Sequence, residues 1–188
     1  MALAEKIEKS FTFTDYLKWP DDERWEIIGG TAYNMTPAPS IKHQMITLNI
    51  GSLLRERLKN KPCTPGIAPT DVVLSEYDVV QPDVFVICDK SKITPANIQG
   101  APDLVVEVLS PATATKDKRE KKALYEKAGV REYIIIDPMG NYVERFVLKD
   151  GRYGVPEIFG PHETMQFASL EGVELPLWEV FEVEGPKQ

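Results

Sequence analysis

The chain has 188 residues, 43% of them hydrophobic, and a formal net charge of −7. This length and composition suit a single domain over residues 1–188 with one substantial core. No apolar run approaches the length of a membrane span, and the first ten residues lack an apolar signal-peptide segment, so we expect a cytoplasmic protein without membrane contact. The acidic balance argues against a protein that binds nucleic acid through a broad basic face.

Cysteine and histidine are scarce in the chain. Cys63 and Cys88 form no CxxC pair and no metal-ligand spacing, which suits a reducing cytoplasm. His43 and His162 are the two histidines, so we do not expect a zinc centre built on histidine.

The first predicted elements are a hairpin and a long helix. Two β-type runs flank Gly29-Gly30, which predicts a hairpin over 24–35, because glycine readily adopts the positive φ of a tight turn. A helix is predicted over about 41–59, with Ser40 as its N-cap. Its apolar residues form two faces, one of Ile41, Met45 and Leu48 and one of Ile46, Ile50, Leu53 and Leu54. Two such faces predict packing against the sheet and against another element or subunit.

The middle of the chain predicts a βαβ unit over 101–138. Two aliphatic runs, within 104–109 and 133–137, are typical of strands that are covered on both faces, and a helix over 113–128 joins them. A further strand lies within 79–88. These elements predict an α/β fold with a mixed central sheet flanked by helices, a core over about 40–138 and a β extension over 141–183.

Two carboxylates mark a candidate site. Glu107 lies inside an otherwise aliphatic strand, where a carboxylate is costly unless it is paired, protonated or bound to a cation. Asp83 follows Pro82 near the start of the preceding strand, and both acids converge at one end of the sheet if the two strands are neighbours. Such oxygen ligands suit Mg²⁺ or Mn²⁺. The alternative is that Asp83 only ends a strand and Glu107 pairs with a nearby lysine or arginine.

The predicted helix places Lys121 on the face intended for burial. That face comprises Ala114, Asp117, Lys118, Lys121, Leu124, Tyr125 and Ala128, and the solvated face comprises Lys116, Arg119, Glu120, Ala123, Glu126 and Lys127. Lys121 either pairs with Asp117 at i, i+4, worth about a few tenths of a kcal/mol, or reaches Glu107. In the second case its ammonium would activate a water or stabilise charge on a phosphate.

Several segments together resemble the Uma family of restriction-endonuclease-like proteins, grouped with the PD-(D/E)xK phosphodiesterase superfamily. They are EIIGG at 26–30, VQPD at 80–83, PDLVVEVLSP at 102–111, the helix that carries Asp117, Lys121 and Tyr125, and the run from GVREY to DP at 129–138. The resemblance spans about residues 12–181. It implies a restriction-endonuclease-like core, two acidic residues that bind Mg²⁺ and a lysine beside the attacking water.

On this resemblance Asp83 is the first acid and Glu107 the second, and the backbone carbonyl of Val108 completes the metal shell. The usual motif places the lysine two residues after the second acid, where this chain has Leu109. The role therefore passes to Lys121 on the following helix, a relocation that the superfamily allows.

Further site residues are less directly implied. Glu26 lies in a matching motif and is either an additional carboxylate of the site or an exposed hairpin residue. His43, near the start of a helix, either contacts a phosphate or is structural. Asp117 and Tyr125 lie on the same helix face as Lys121.

The implied function is a Mg²⁺-dependent endonuclease that hydrolyses DNA, as a homodimer because duplex cleavage needs two sites. One alternative is a nuclease fold kept as a non-catalytic binding module, which the acidic balance favours. Another is a metal-dependent phosphoesterase acting on RNA or nucleotides. A local basic patch would favour the nuclease, and the residues available for it are Lys116, Lys118, Arg119, Lys121, Lys122 and Lys127.

Overall fold

A computed structural model describes residues 6–7, 10–20, 22–35, 38–111 and 113–186. The strands are β1 (Lys6–Ile7), β2 (Trp25–Ile28), β3 (Thr31–Asn34), β4 (Thr64–Ile67), β5 (Val72–Ser75), β6 (Asp78–Val80), β7 (Val84–Ile87), β8 (Ile98–Gln99), β9 (Leu104–Val108), β10 (Glu132–Asp137), β11 (Tyr142–Lys149), β12 (Arg152–Tyr153), β13 (Glu157–Phe159), β14 (Thr164–Gln166) and β15 (Glu174–Pro176). The helices are α1 (Phe13–Tyr16), α2 (Ile41–Arg57), α3 (Ala114–Lys116), α4 (Lys122–Ala128) and α5 (Leu177–Phe181), with a π-helical turn at Asp117–Lys121 between α3 and α4. Within the described residues, no helix has both the length and the apolarity needed to cross a bilayer.

The central sheet has the order β12-β11-β10-β9-β7-β4, with β13 beside β11. β9 and β10 pair in parallel, from Leu104 opposite Glu132 to Val108 opposite Ile136. This pairing confirms the predicted βαβ unit. β7 lies antiparallel to β9 on its other side, so the strands that follow Asp83 and contain Glu107 are neighbours.

Two cores cover the faces of this sheet. On one face, Leu104, Val106 and Val108 of β9 pack in a core shared with α2 and α5. On the other, Val105 of β9 belongs to a core with Leu124 and Tyr125 of α4. Because side chains alternate along a strand, Glu107 points to the α4 face. The mixed sheet with helices on both faces confirms the predicted α/β fold.

The N-terminal hairpin forms as predicted but belongs to a larger sheet. β2 and β3 are antiparallel and joined through Gly29 (φ +57°) and Gly30 (φ +76°). They are part of a six-stranded sheet with the order β1-β3-β2-β6-β5-β8. In that sheet β2 pairs with β6, Ile27 opposite Val79, which brings residue 26 beside the segment that leads to Asp83.

Cys63 and Cys88 are joined in a disulfide bond. Their spacing alone indicates two cysteines suited to a reducing compartment, but the fold brings them together. β4 pairs antiparallel with β7, Thr64 opposite Ile87, so the residues that flank this pair face each other across the two strands. A sequence separation of 25 residues does not reveal that pairing.

A fully buried carboxylate, Glu132 of β10, holds the loop between β14 and β15 against the central sheet. It accepts hydrogen bonds from the backbone N–H of Ala168 (3.1 Å) and from the N–H (2.8 Å) and hydroxyl (2.7 Å) of Ser169. Hydrogen bonds to an ionised group are among the stronger ones in proteins. This contact fixes the loop that returns to β15.

We expect Glu132→Gln to lower the free energy of unfolding by about 1–3 kcal/mol, because its amide N–H₂ would replace one of the two oxygens that now accept backbone N–H groups, and an N–H₂ group cannot accept them. Urea denaturation would measure the loss, and amide exchange at residues 168 and 169 would localise it. Glu171→Gln, at an exposed position, is the matched control. Equal unfolding midpoints for wild type and Glu132→Gln would contradict this role.

Candidate active site

Asp83 and Glu107 lie opposite each other at one end of the central sheet. The antiparallel register pairs Val84 with Val106, and one step further along it places Asp83 across from Glu107. The Asp83 carboxylate is also fixed by the neighbouring strand, because its Oδ2 accepts the backbone N–H of Val108 at 2.8 Å. The two predicted acids are therefore brought together.

The partners of Glu107 are Lys121 and Tyr125. Glu107 is 3% exposed, and its Oε1 accepts hydrogen bonds from Lys121 Nζ (2.9 Å) and from the Tyr125 hydroxyl (2.7 Å). Burial raises the pKa of Glu107 to about 8; the ammonium of Lys121 opposes this shift, and the nearby carboxylates, Asp83 foremost, add to it. The carboxylates of Asp83, Asp117 and Glu26 therefore lie close enough to Glu107 to disfavour its ionised form, and Lys121 offsets part of this effect.

Lys121 is held as an ammonium by buried carboxylates. Its Nζ lies 2.7 Å from Glu26 Oε1, 2.9 Å from Glu107 Oε1 and 3.9 Å from Asp117 Oδ1. Burial alone would lower the pKa of Lys121, but these carboxylates outweigh it and keep that pKa well above the ordinary value. Of the two functions open to Lys121, this environment favours stabilisation of charge over abstraction of a proton.

Glu26 is fully buried, so the expectation of an exposed hairpin residue is wrong. Its Oε1 accepts from Lys121 and from the backbone N–H of Gln81 (3.0 Å), and its Oε2 accepts from Lys116 at 2.7 Å. With three donors on two oxygens, Glu26 is a partner of the lysines. The pairing of β2 with β6, which is invisible in the local sequence, brings it there.

Lys116 also points inward, whereas the helical pattern predicts it on the solvated face. Its side chain is 11% exposed and pairs with Glu26. The difference arises at the π-helical turn Asp117–Lys121, which changes the angular spacing of the residues before and after it. The predicted burial of Asp117, Lys121 and Tyr125 agrees with the structure.

The remaining predicted residues surround the same point. His43 Nε2 lies 3.2 Å from Asp83 Oδ2, and His43 Nδ1 is buried without a hydrogen-bond partner among the described residues. Burial lowers the pKa of His43, but Asp83 and the Val108 carbonyl raise it above its usual value overall. Asp117 is 2% exposed, and burial raises its pKa. His43 therefore contacts Asp83, one of the two predicted metal ligands.

Gln81 is a residue that sequence reasoning missed. Its backbone N–H holds Glu26, while its side-chain oxygen accepts from Arg24 Nε (3.0 Å) and Nη2 (2.7 Å) and its amide nitrogen donates to Asp71 (2.9 Å). These contacts fix the segment directly before Asp83. Its position in the VQPD motif, two residues before Asp83, is the signal that could have identified it.

Comparison with known proteins decides the family. The model of the Uma2 family, described as "Putative restriction endonuclease", matches residues 13–177. The chain belongs to the Uma2 family.

The chain is similar to two uncharacterized proteins of Synechocystis sp. One is 28% identical over 87% of this chain and 96% of the relative, and the other is 29% identical over 65% of this chain and 66% of the relative. Its fold matches the crystal structure of a "putative nuclease belonging to DUF820" from Anabaena variabilis, with a TM-score of 0.75, 20% identity and coverage of 92% of this chain and 98% of that one. The predicted family and nuclease-like fold are confirmed.

The donor atoms in this Uma2 chain fit a small divalent cation. Asp83 and Glu107 each engage one carboxylate oxygen in the contacts above, and their other oxygens, Oδ1 and Oε2, have no hydrogen-bond partner among the described residues. No group of three or more His, Cys, Asp or Glu side chains converges as a metal cluster in the described ranges. A Mg²⁺ ion, which commonly keeps several waters and needs only one or two carboxylates, suits such a set.

The ion pairs of Glu26 predict that its contribution to the stability of the fold decreases at acidic pH. Burial would raise the pKa of Glu26, but the ammonium groups of Lys121 and Lys116 outweigh it and lower the pKa to about 2, against 4.5 for an unperturbed glutamate. A carboxyl group with a lowered pKa in the folded state contributes stability that is present above about pH 4.5 and is lost as the pH falls toward about 2.

We therefore expect the difference in unfolding free energy between wild type and Glu26→Gln to shrink as the pH falls from about 6 to about 3. Urea denaturation of both proteins across this range would measure it. A difference that stays constant would contradict the ionised pairing of Glu26.

Proposed function

We propose that this protein is a metal-dependent endonuclease that hydrolyses phosphodiester bonds of DNA. The observation that carries the proposal is the contact between Lys121 and Glu107. Glu107 itself lies across from Asp83 on the neighbouring strand. Two acids and a buried lysine at one end of a nuclease-like sheet match the arrangement that the family resemblance implies, although the lysine comes from the helix. The nuclease description of the family supports the same reaction class.

Asp83, Glu107 and the backbone carbonyl of Val108 would hold Mg²⁺ or Mn²⁺. A bound divalent ion supplies Lewis-acid stabilisation of a phosphoryl oxygen and lowers the pKa of a coordinated water. Among the described residues, the carboxylates of Glu26, Asp83, Glu107 and Asp117 share three basic partners, Lys116, Lys121 and His43, and a divalent ion would add positive charge to this group.

The protein's own groups orient the reactants. Lys121, kept as an ammonium, would stabilise negative charge that develops on the phosphate. Tyr125 donates to the same oxygen of Glu107 and fixes the orientation of that carboxylate. His43 contacts Oδ2 of Asp83, which also accepts the Val108 N–H, and so helps to fix the orientation of that carboxylate.

The direct test is cleavage of supercoiled plasmid by the purified protein with Mg²⁺ or Mn²⁺, beside the same reaction in chelator. The proposal predicts metal-dependent nicking or linearisation. Parallel reactions with RNA and with nucleotide phosphodiesters would identify a different substrate class. Failure to cleave any of them with either metal would overturn the proposal.

The contacts of the basic residues favour a second candidate function. In it, the protein keeps a nuclease fold but acts as a non-catalytic interaction module. Lys116 and Lys121 are paired inside the protein. Lys118 pairs with Glu144, and Lys122 lies over the ring of Phe146. Most of the lysines that could form a basic patch therefore already contact groups of the protein itself. The net charge of −7 also disfavours binding to nucleic acid. Absence of both cleavage and Mn²⁺ binding would select this candidate.

A homodimer follows from the same proposal, since cleavage of both strands needs two sites. One face of α2 carries Ile41, Met45 and Leu48, which are 84%, 37% and 57% exposed, whereas its other apolar face is buried in the core. This stripe is the surface we assign to the dimer contact. Light scattering should give twice the chain mass for wild type and the chain mass for Leu48→Glu. A wild type that is monomeric at all concentrations would contradict the assignment.

A further inference from the structure

One buried carboxylate holds two lysines of the same helix. Glu26 Oε2 lies 2.7 Å from Lys116 Nζ, and Glu26 Oε1 lies 2.7 Å from Lys121 Nζ. Neither lysine is substantially exposed, at 11% and 3% of the side chain. Lys116 has no counterpart in the site that the sequence predicts.

The π-helical turn explains how both lysines reach one carboxylate. Five residues along an α-helix rotate by about 500°, which leaves residues i and i+5 about 140° apart on the helix surface. In a π-helical turn the hydrogen bonds connect i with i+5, so these residues lie on the same side. Lys116 immediately precedes the turn and Lys121 ends it. The turn therefore converts a surface lysine into a partner of Glu26.

The surroundings of Lys116 indicate a role inside the protein. Its ammonium is engaged by a fully buried carboxylate and lies 5.4 Å from the centre of the Tyr33 ring. An ammonium held in this way is poorly placed to recruit a phosphate from solvent. Its effect is on Glu26, whose negative charge it partly neutralises.

The partial neutralisation of Glu26 by Lys116 affects the position of the Lys121 ammonium. Glu26 and Glu107 compete for the Lys121 ammonium, at 2.7 and 2.9 Å. Without Lys116, Glu26 would present its whole charge to Lys121 and draw it away from Glu107, because ion pairs are strong where water is excluded. With Lys116 in place the ammonium stays shared between the two carboxylates.

We propose that Lys116 is a positioning residue that, through Glu26, keeps Lys121 beside Glu107 and directed at the scissile phosphate. The proposal rests on the proposed nuclease function for its kinetic consequence. Its structural part, the dependence of Lys121 on Lys116, holds independently of any activity.

The kinetic test compares wild type with Lys116→Met, Lys116→Arg and Lys59→Met, the last at an exposed position just after α2 and outside the helix that carries Lys116. Outer-sphere partners of catalytic groups typically change activity by about 10- to 100-fold, so we expect Lys116→Met to lower kcat by that amount. KM should change by less than about twofold, because no substrate contact is removed. Lys116→Arg should recover part of kcat, and Lys59→Met should match wild type. A raised KM with unchanged kcat would overturn the proposal in favour of a phosphate contact.

A second measurement needs no activity. Buried, hydrogen-bonded ammonium protons exchange slowly, so Lys121 should give a resolved ¹⁵Nζ signal in NMR, assigned by its absence from Lys121→Arg. We expect Lys116→Met to shift this signal and to speed its proton exchange by about tenfold or more, and Lys59→Met to leave it unchanged. Glu26→Gln provides a second variant that should also shift it.

The kinetic and NMR measurements together distinguish failure of the proposed nuclease function from failure of the proposed role of Lys116. If wild type cleaves nothing, the proposed function falls, while the NMR comparison still decides the positioning of Lys121. If the Lys121 signal is the same in wild type and Lys116→Met, the positioning role is wrong whatever the activity. A shifted signal with unchanged kcat would confine Lys116 to a structural role and overturn the proposal.

Discussion

DNA cleavage should fall by on the order of 1,000-fold in both Asp83→Asn and Glu107→Gln. Each substitution removes one of the two carboxylates that would hold the cation, and metal stabilisation of a phosphoryl transition state is worth several kcal/mol, at about 1.4 kcal/mol for each tenfold in rate. Initial rates on a labelled duplex, at saturating Mg²⁺, would measure the effect.

Both variants should remain folded, which makes the loss interpretable. The amide oxygen of a glutamine at position 107 can still accept hydrogen bonds from Lys121 and Tyr125, the present partners of Oε1. The exposed substitution Glu171→Gln is the control and should cleave at the wild-type rate. A Glu107→Gln protein with wild-type activity would mean that this carboxylate is a structural ion-pair partner only.

Glu26→Ala should have the largest effect on stability, a loss of about 3–5 kcal/mol in the free energy of unfolding. The substitution leaves Lys116 without its ion-pair partner, removes one of two close partners from Lys121, and removes the acceptor of the Gln81 N–H. Removing one member of a buried ion pair is costly because the other charge stays away from water.

Urea denaturation of wild type, Glu26→Ala and Glu76→Ala would measure this loss. Glu76 is exposed in the turn between β5 and β6, and its truncation should change stability by less than about 0.5 kcal/mol. If Glu26→Ala unfolded at the same urea concentration as Glu76→Ala, the ion pairs of Glu26 would contribute nothing to the fold.

The features that follow from local patterns were predictable from the sequence. Aliphatic runs on either side of a helix predict the parallel pair β9 and β10, which the structure contains. A carboxylate inside such a run requires a partner, and Lys121 on the buried face of the next helix is that partner. The roles of Asp83, Glu107 and Lys121 in catalysis remain predictions.

The features that local sequence patterns do not reveal depend on long-range pairing or on irregular backbone. Glu26 reaches the site because β2 pairs with β6, more than fifty residues away, and nothing near residue 26 reveals that neighbour. A regular α-helical pattern predicts Lys116 on the solvated face, and the π-helical turn departs from that regular spacing. The disulfide between Cys63 and Cys88 likewise depends on the pairing of β4 with β7.

The most direct measurement is calorimetric titration of Mn²⁺ into wild type, Asp83→Asn and Glu107→Gln. If Asp83 and Glu107 jointly hold a catalytic cation, wild type should bind one ion per chain, and each variant should bind it at least about tenfold more weakly, as expected when one of few carboxylate ligands is lost. Absence of Mn²⁺ binding by wild type, or equal binding by all three proteins, would contradict a metal site at these two acids.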